Sequence, residues 1–566
     1  MQRTGAQVVW ECLVKEGVAT VFGYPGGAIL PTYDAMLDYP IRHVLVRHEQ
    51  GAAHMADGYA RASGRVGVAV ATSGPGATNL TTGIATAMLD SSPTVFITGQ
   101  VSSKVLGTDA FQEVDVTGIT LPITKHNSLV TEAKHIARTM REAFVIARSG
   151  RPGPVLVDIT KDAQQGRTEF HYPETVHLPG LHEPAPPDAE SLARAAELVD
   201  QAERPLILAG AGVMRSGATP ALRAFAEKTG TPVALTLLGI GGFPQSHPLC
   251  LGMMGMHGEA FTNSAIQNAD LLLAFGMRFD DRVTGNIKTY ALHAKKVHVE
   301  IDPSEVGKNV KVDLALVSDL RVALEALTPM VKARRPEAWL AEIEGWRQDT
   351  RSRDILHRDG NGRLLAAHVV HDLWKTTGGA SVVVSDVGQH QMWEAQYYKH
   401  DEPRTLITSG GLGTMGFALP AAIGAKIARP EAEVWVVAGD GGFQMTQCEL
   451  ATLQQERLDV KIAVVNNGYL GMVRQWQEFF HDRRYAATPI LSPDFVKLAA
   501  AYDIPAYRVS RRADVVPTVA KARETGGPVL VEFQVEKEDA VYPMVPAGSD
   551  LHAMIRRPAE AEEVRS

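Results

Sequence analysis

Cysteine is scarce: Cys12, Cys250 and Cys448 are the 3 thiols of a 566-residue chain, and their spacings are wide. That excludes a disulfide framework and a cysteine-based zinc site, and it suits a reducing, cytoplasmic setting. No run of about 18 apolar residues occurs, so no membrane-spanning helix is expected. Basic runs with interleaved aromatics are also missing, and a net charge of −8 opposes non-specific binding to phosphate backbones, so nucleic acid is not an expected partner. The N-terminus lacks signal- and transit-peptide character. It enters a helical pattern at once, with Val8, Val9, Cys12 and Leu13 on one face. A cytoplasmic protein of bacterial type, or one already relieved of a targeting segment, is the expectation. What is present is ordinary globular material, 45% hydrophobic and 21% charged, in a chain long enough for about three domains.

The organisation expected is α/β with three doubly wound parallel-sheet domains. Residues 1–163 alternate strand and helix patterns, with strands at Thr20–Phe22, Val44–Val46, Gly67–Ala71, Thr94–Thr98 and Val155–Asp158. A stretch over 164–188 carries Pro173, Pro179, Pro184, Pro186 and Pro187, reads as free of regular structure, and marks a linker. A second block over 189–330 has strands at Pro205–Ala209, Ala269–Ala274 and Lys296–Glu300. Charged, helix-prone residues 331–363 connect it to a third block, 364–540, which opens with Ser381–Ser385 and closes with Pro528–Glu532. Residues 541–566 form a tail, too rich in proline around Tyr542–Pro546 for a central strand, expected to cover something or to be mobile.

The most informative pattern is Gly439-Asp440-Gly441 followed by Asn466-Asn467, where 467 − 440 = 27. Val434–Ala438 and Lys461–Val465 read as buried strands ending at Asp440 and Asn467, with a crossover helix between Gln447 and Arg457 that carries Leu450 and Leu453. Such a βαβ unit makes the strands parallel neighbours, and both side chains then face the crevice outside the strand carboxyl ends. Hard oxygen donors there suit Mg²⁺ or Ca²⁺ rather than zinc. A set this sparse leaves room for the phosphate oxygens and waters that Mg²⁺ favours, which points to a diphosphate ligand. A lone Gly-Asp-Gly also makes ordinary turns, so the spacing carries the argument.

Gly-Asp-Gly and Asn-Asn at this separation resemble the signature of the thiamine diphosphate enzymes. The resemblance implies pyrimidine-binding, middle and diphosphate-binding domains, with Asp440, Asn467 and the backbone carbonyl of Tyr469 holding the metal. It further implies contacts to thiamine diphosphate from Gly388, Gln389, His390, Gly439, Gly441, Gly442 and Met472. In the loop Ser409–Gly416, Met415 would wedge between the cofactor rings and the Gly413 carbonyl would accept from its amino group; the same loop also reads as a glycine-rich turn before a helix. Glu49 follows a strand and opens a helix. On its own it reads as a carboxylate favoured by the helix dipole. The family places there a glutamate that donates a proton to the aminopyrimidine ring, which needs apolar walls across a domain interface. Since the pyrimidine-binding and diphosphate-binding domains of one chain do not usually face each other in this family, the cofactor is implied to lie between two subunits, in a homodimer or a homotetramer built from it.

The stretch Gly107–Glu113 lacks the histidine pair common in aldehyde-releasing relatives and resembles the acetohydroxyacid synthases, with Phe111 and Gln112 facing substrate. Arg47–Gly51, Ser73–Asn79, Arg151–Pro154, Gly255–Gly258, Arg278–Arg282 and Gly471–Trp476 share that resemblance, which spans nearly the whole chain. It implies that pyruvate is decarboxylated and joined to a second pyruvate or to 2-ketobutyrate, that a separate small subunit regulates the enzyme, and that the middle domain holds FAD through Arg151, Gly210, Gly212, Met256, Arg278, Glu300 and Asp319. Trp476 would border the acceptor site and Arg282 would clamp its carboxylate. Each has a plainer reading: Trp476 as core, Arg282 as an ion pair with its aspartate neighbours, Asp319 as a helix cap. Rival readings are an oxidoreductase of the pyruvate oxidase type, a glyoxylate carboligase, against which Glu49 argues, and a cofactor-binding paralogue without catalysis.

Overall fold

The structure, a computed structural model, describes residues 1–181, 184–358 and 360–559. Three six-stranded sheets carry the fold, and every pairing within them is parallel. The first runs Arg42–Leu45, Thr20–Gly23, Gly67–Ala71, Thr94–Gln100, Pro154–Thr160, His126–Val130. The third runs Leu406–Thr408, Val382–Ser385, Val434–Gly439, Val460–Asn466, Val529–Gln534, Ala506–Val509. With each sheet's strands numbered in chain order, both read 2-1-3-4-6-5. The middle sheet runs Cys250–Met253, Val233–Leu235, Pro205–Ala209, Leu271–Phe275, Lys295–Glu300, Leu314–Val317, which is 3-2-1-4-5-6, the order of dinucleotide-binding folds. In each sheet the order reverses beside its first strand, and ligands of open α/β sheets bind at the strand carboxyl ends at such a point. Among the described residues no helix is long and apolar enough to cross a membrane.

The central strands are almost wholly buried because helices cover both faces, and their valine- and leucine-rich runs suit that position, whereas edge strands such as Arg42–Leu45 and His126–Val130 are partly exposed. The outer domains share a core. Helix Glu49–Ser63 crosses helix Ala418–Ala428, and Phe22, Ala52, Tyr59, Phe417, Ala421 and Val436 belong to one buried cluster. The crossing is close because Gly58 and Gly424 lie at it. A Cβ on Gly58 would overlap the Ala421 carbonyl, and one on Gly424 would overlap the Met55 carbonyl. Within one chain, therefore, the first and third domains do pack together, through these helices.

Two sequence expectations change. The proline-bearing stretch 164–188 does hold regular structure: Gln164 and Gln165 end a short helix, Lys161–Gln165, and Arg167–Glu169 pairs antiparallel with Gln2–Thr4. The strand precedes Pro173, the first proline, so its amides are free to donate. Residues 331–363 are more than a connection, since helix Glu337–Arg351 buries Trp339 and Ile343 on the middle domain and Trp339 Nε1 donates to the Pro205 carbonyl at 3.1 Å. The tail over 541–559 is docked. Val541, Met544, Val545 and Leu551 are buried, Val545 N–H donates to the Met256 carbonyl, and Gln475 brackets Val541 with bonds to its N–H and carbonyl. Residues 560–566 of that tail lie outside the described residues.

Gly424→Ala places a methyl group in the Met55 backbone, so the helices must separate. Overpacking of this kind costs about 1–3 kcal/mol, and at about 2–4 °C per kcal/mol the thermal midpoint is expected to fall by several degrees, read by scanning calorimetry.

Candidate active site

The strand Val434–Gly439 delivers Asp440 to the crevice with only 1% of its surface exposed. Its carboxylate accepts from Ser492 Oγ at 2.7 Å and faces the amides of Asn467 and Gly468, which follow the adjacent strand. Burial pushes its pKa up, against those hydrogen bonds. Among the described residues Asp440 enters no ion pair, and no group of three or more His, Cys, Asp or Glu side chains could hold a metal by itself. A hard cation there needs oxygens from outside the protein, as the sparse pair implied. Asn467 Oδ1 accepts from Tyr469 N–H at 3.0 Å, which curls the chain so that Tyr469 lies beside the site.

The other diphosphate-side candidates gather around this point. Gln389 Oε1 lies 3.4 Å from Asn467 Nδ2. His390 Nε2 accepts from Gly439 N–H at 3.2 Å, and burial lowers its pKa to about 3, so the ring is neutral. A Cβ on Gly388 or on Gly439 would come within 2.8 or 2.9 Å of that ring, which explains both glycines. A Cβ on Gly442 would meet Asp386 Oδ1 at 2.9 Å, and one on Gly441 would meet Leu470 at 2.7 Å and Met415 at 3.7 Å. Asp386 in turn accepts from the amides of Gly416 at 2.9 Å and Ala418 at 3.3 Å, fixing the far end of the Met415 loop.

A cavity of about 1160 Å³ lies at the switch point of the middle sheet. It is lined by all seven flavin candidates, Arg151, Gly210, Gly212, Met256, Arg278, Glu300 and Asp319, and also by Arg282, Gly413, Met472 and Trp476. Gly210 and Gly212 answer to the fold: their amides donate to Phe275 and Gly276 carbonyls, and a Cβ on either would strike Gly276. Asp319 lines the cavity and also caps helix Leu320–Leu327, so its plainer reading holds. Burial raises Glu300 to about 7 although the Ile301 and Asp302 amides donate to it. Ser318 Oγ is buried without a protein partner, and faces the same cavity. Trp476 is not core; it lies half-buried on the cavity wall, 5.2 Å from the Phe480 ring. Arg282 makes only a loose pair with Asp281 at 3.9 Å and turns Nη1 toward Met256 Sδ at 3.4 Å.

Glu49, Phe111 and Gln112 form a separate neighbourhood. Glu49 is 9% exposed and accepts from Asn79 Nδ2 at 2.9 Å, with Gly76 beside its other oxygen. The Gln112 backbone packs on Gly74, and the Phe111 ring is 89% exposed. None of the three lines the middle-domain cavity.

Three functional partners escape sequence reading. Ser492 lies in an irregular stretch with no motif, and only the folded chain brings it to Asp440 across 492 − 440 = 52 positions. Asn79 ends a short helix, Pro75–Asn79, and gives no signal of its own. Asp386 could have been found, since it ends the strand Val382–Ser385 as Asp440 ends its neighbour.

Three family models match the chain in succession: the N-terminal TPP binding domain of thiamine pyrophosphate enzymes over residues 3–119, their central domain over 192–327 and their C-terminal TPP binding domain over 386–533. Acetolactate synthase of Mycobacterium bovis is 49% identical over 561 residues, covering 97% of this chain and 90% of that protein. The acetolactate synthase large subunit of Corynebacterium glutamicum is 48% identical over 560 residues, covering 96% and 89%. Chloroplastic acetolactate synthase 1 of Oryza sativa is 45% identical over 570 residues, covering 98% and 88%.

Ser492→Ala removes the hydroxyl that orients Asp440. Loss of such an outer partner typically costs 10- to 100-fold in metal affinity, so cation-dependent binding of a diphosphate ligand is expected to weaken by about that factor, read by titration calorimetry with Mg²⁺ and thiamine diphosphate.

Proposed function

The chain belongs to the acetolactate synthases among the thiamine pyrophosphate enzymes, and from that premise we propose that it decarboxylates one pyruvate and joins the two-carbon unit to a second 2-keto acid. The product is 2-acetolactate from a second pyruvate, or 2-aceto-2-hydroxybutyrate from 2-ketobutyrate, as in the first common step of valine, leucine and isoleucine biosynthesis. The observation that carries the site assignment is the single cavity onto which Gly413, Met472, Trp476 and Arg282 all open. Thiamine diphosphate, when bound, would supply a carbon nucleophile for the keto group and an electron sink for decarboxylation.

The chain's own residues do the rest. Asp440, Asn467 and the Tyr469 carbonyl fit Mg²⁺, because Asp440, the carboxylate among them, is buried and enters no ion pair among the described residues. Glu49 holds the proton that the pyrimidine ring takes up, and Asn79 fixes the carboxyl orientation by donating to one oxygen. Arg282 keeps much of its guanidinium free, which suits a bidentate grip on the acceptor carboxylate. Trp476 offers an aromatic wall to the extra methyl of 2-ketobutyrate. FAD fits the middle cavity, where Ser318 Oγ is buried without a protein partner, Glu300 lines the wall and the strand order is that of dinucleotide binders. We assign the flavin a structural part there. Because Glu49, Phe111 and Gln112 stand apart from the cavity of their own chain, the complete centre is assigned to a homodimer, or to a tetramer of two. The large-subunit name of the Corynebacterium relative supports a separate regulatory small subunit. The cytoplasm is the proposed compartment.

The decisive test is product analysis with thiamine diphosphate, Mg²⁺, FAD and pyruvate, in air and without it. Acetolactate is expected in both; acetate or acetyl phosphate with oxygen uptake and no acetolactate would instead identify an oxidase. In the same assay with 2-ketobutyrate added, Trp476→Leu is expected to lower the acetohydroxybutyrate share by about 10-fold, within the 1–3 kcal/mol that a methylene contact is worth. Glu49→Gln is expected to lower the carboligation rate by about 10²- to 10⁴-fold while thiamine diphosphate still binds, as loss of a general acid does.

A further inference from the structure

The loop Gly107–Glu113 has an unusual backbone. Gly107, Asp109 and Gln112 all sit at positive φ, at 78°, 58° and 61°. Two of these are not glycine, and residues in that region are held there by their surroundings. Here the surroundings are one side chain. Glu113 turns back so that one carboxylate oxygen accepts from Gly107 N–H and the other from Ala110 N–H at 2.9 Å, with the Thr108 and Asp109 amides also facing it. Its own amide donates to the Ala110 carbonyl at 2.8 Å, closing the turn. Successive backbone amides converging on one negative group form an anion-binding nest, and the chain fills this nest with its own carboxylate.

The loop is anchored on both sides. The Val114 carbonyl accepts from Gln100 Nε2 at 2.9 Å, and Gln100 and Thr98 both donate to the buried Asp158, at 2.9 and 2.7 Å. The Gln112 backbone rests on Gly74, where a Cβ would approach its carbonyl to 2.9 Å. Gly74 leads through Gly76 to Asn79, the partner of Glu49. The Phe111 ring is left standing in the open.

We propose that Glu113 is a positioning residue for the carboligation: by occupying the amide nest of Gly107–Ala110 it sets the loop conformation that presents Phe111 and Gln112 to the reacting substrate. The inference rests on the reading of Phe111 and Gln112 as substrate-facing. Displacing reacting partners by about 1 Å can cost on the order of 100-fold in rate. Glu113→Ala is therefore expected to lower kcat/KM for acetolactate formation by about 10- to 100-fold. Thiamine diphosphate affinity and the thermal midpoint should stay at wild-type values. Glu113→Gln keeps one acceptor oxygen and should fall between the two.

The test uses the full chain with thiamine diphosphate, Mg²⁺ and FAD, and pairs kinetics with amide hydrogen exchange. Faster exchange confined to residues 107–110, with lowered kcat/KM, supports the proposal. Unchanged exchange in Glu113→Ala overturns the nest, and faster exchange with wild-type kinetics overturns the positioning role. Should Glu113→Ala fail to fold, Glu113→Gln decides by the same criteria. A wild-type protein that forms no acetolactate would defeat the functional reading instead, and the exchange data would then decide the nest alone.

Discussion

A buried carboxylate, Asp90, holds the three domains to one another. It lies in the first domain, 1% exposed, and pairs with Arg61 at 2.8 Å. It accepts from the amides of Gly410 and Gly411 in the third domain, and its backbone carbonyl accepts from Arg215 of the middle domain. Arg61 also grips Asp57 and the Thr408 carbonyl and lies over the Phe417 ring. Buried charges are tolerable only when paired and fully hydrogen-bonded; the first and third domains satisfy the Asp90 carboxylate, and the middle domain holds its backbone carbonyl. The loop Ser409–Gly416 is thus tied at one end to Asp90 and at the other to Asp386. Between those carboxylates Gly413 and Met415 have little freedom, and the cavity wall to which Ser409, Gly410, Gly411 and Gly413 contribute inherits its shape from the domain junction.

The site follows from where the strands end. Two neighbouring parallel strands bring Asp440 beside the Asn467 and Gly468 amides, and the strand across the switch point brings Gln389 and His390. The glycines there are spacers cut to particular neighbours: Gly388 and Gly439 to the His390 ring, Gly442 to Asp386. A neutral His390 adds a hydrogen-bond acceptor without adding charge beside Asp440.

Sequence reading reached the elements that periodicity and local signals control. Val434–Gly439 and Val460–Asn466 announce themselves as buried β-branched runs, and their ends located Asp440 and Asn467. The cavity set, from Arg151 to Trp476, came from resemblance, and the fold places it on one wall. What stayed hidden depends on contacts between residues distant in sequence. Asp90 looks like any aspartate ending a helix, Ser492 like any loop serine, and neither gains meaning until three sheets are assembled. The strand Arg167–Glu169 was obscured by the prolines after it, and the pairing that forms it comes from Gln2–Thr4 at the other end of the domain. Gly210 and Gly212 meet two demands at once, since both line the cavity and both are approached too closely by Gly276 to carry a Cβ.

The docked tail carries a consequence for how the molecule comes into being. His257 Nδ1 lies 3.2 Å from the Pro543 carbonyl, Val545 N–H reaches the Met256 carbonyl, Asn286 N–H reaches the Ser549 carbonyl and Gln267 reaches Asp550. The loops around Met256 and Arg282, made halfway through synthesis, thus find their final partners only in residues translated near the end. Domains fold in order as they leave the ribosome, N-terminal first. Here the first sheet can form early, its shared core waits for helix Ala418–Ala428, and the middle-domain wall waits for almost the last codons. A chain interrupted before residue 541 would carry nearly all the chemistry described above and still lack the clasp that sets it in place.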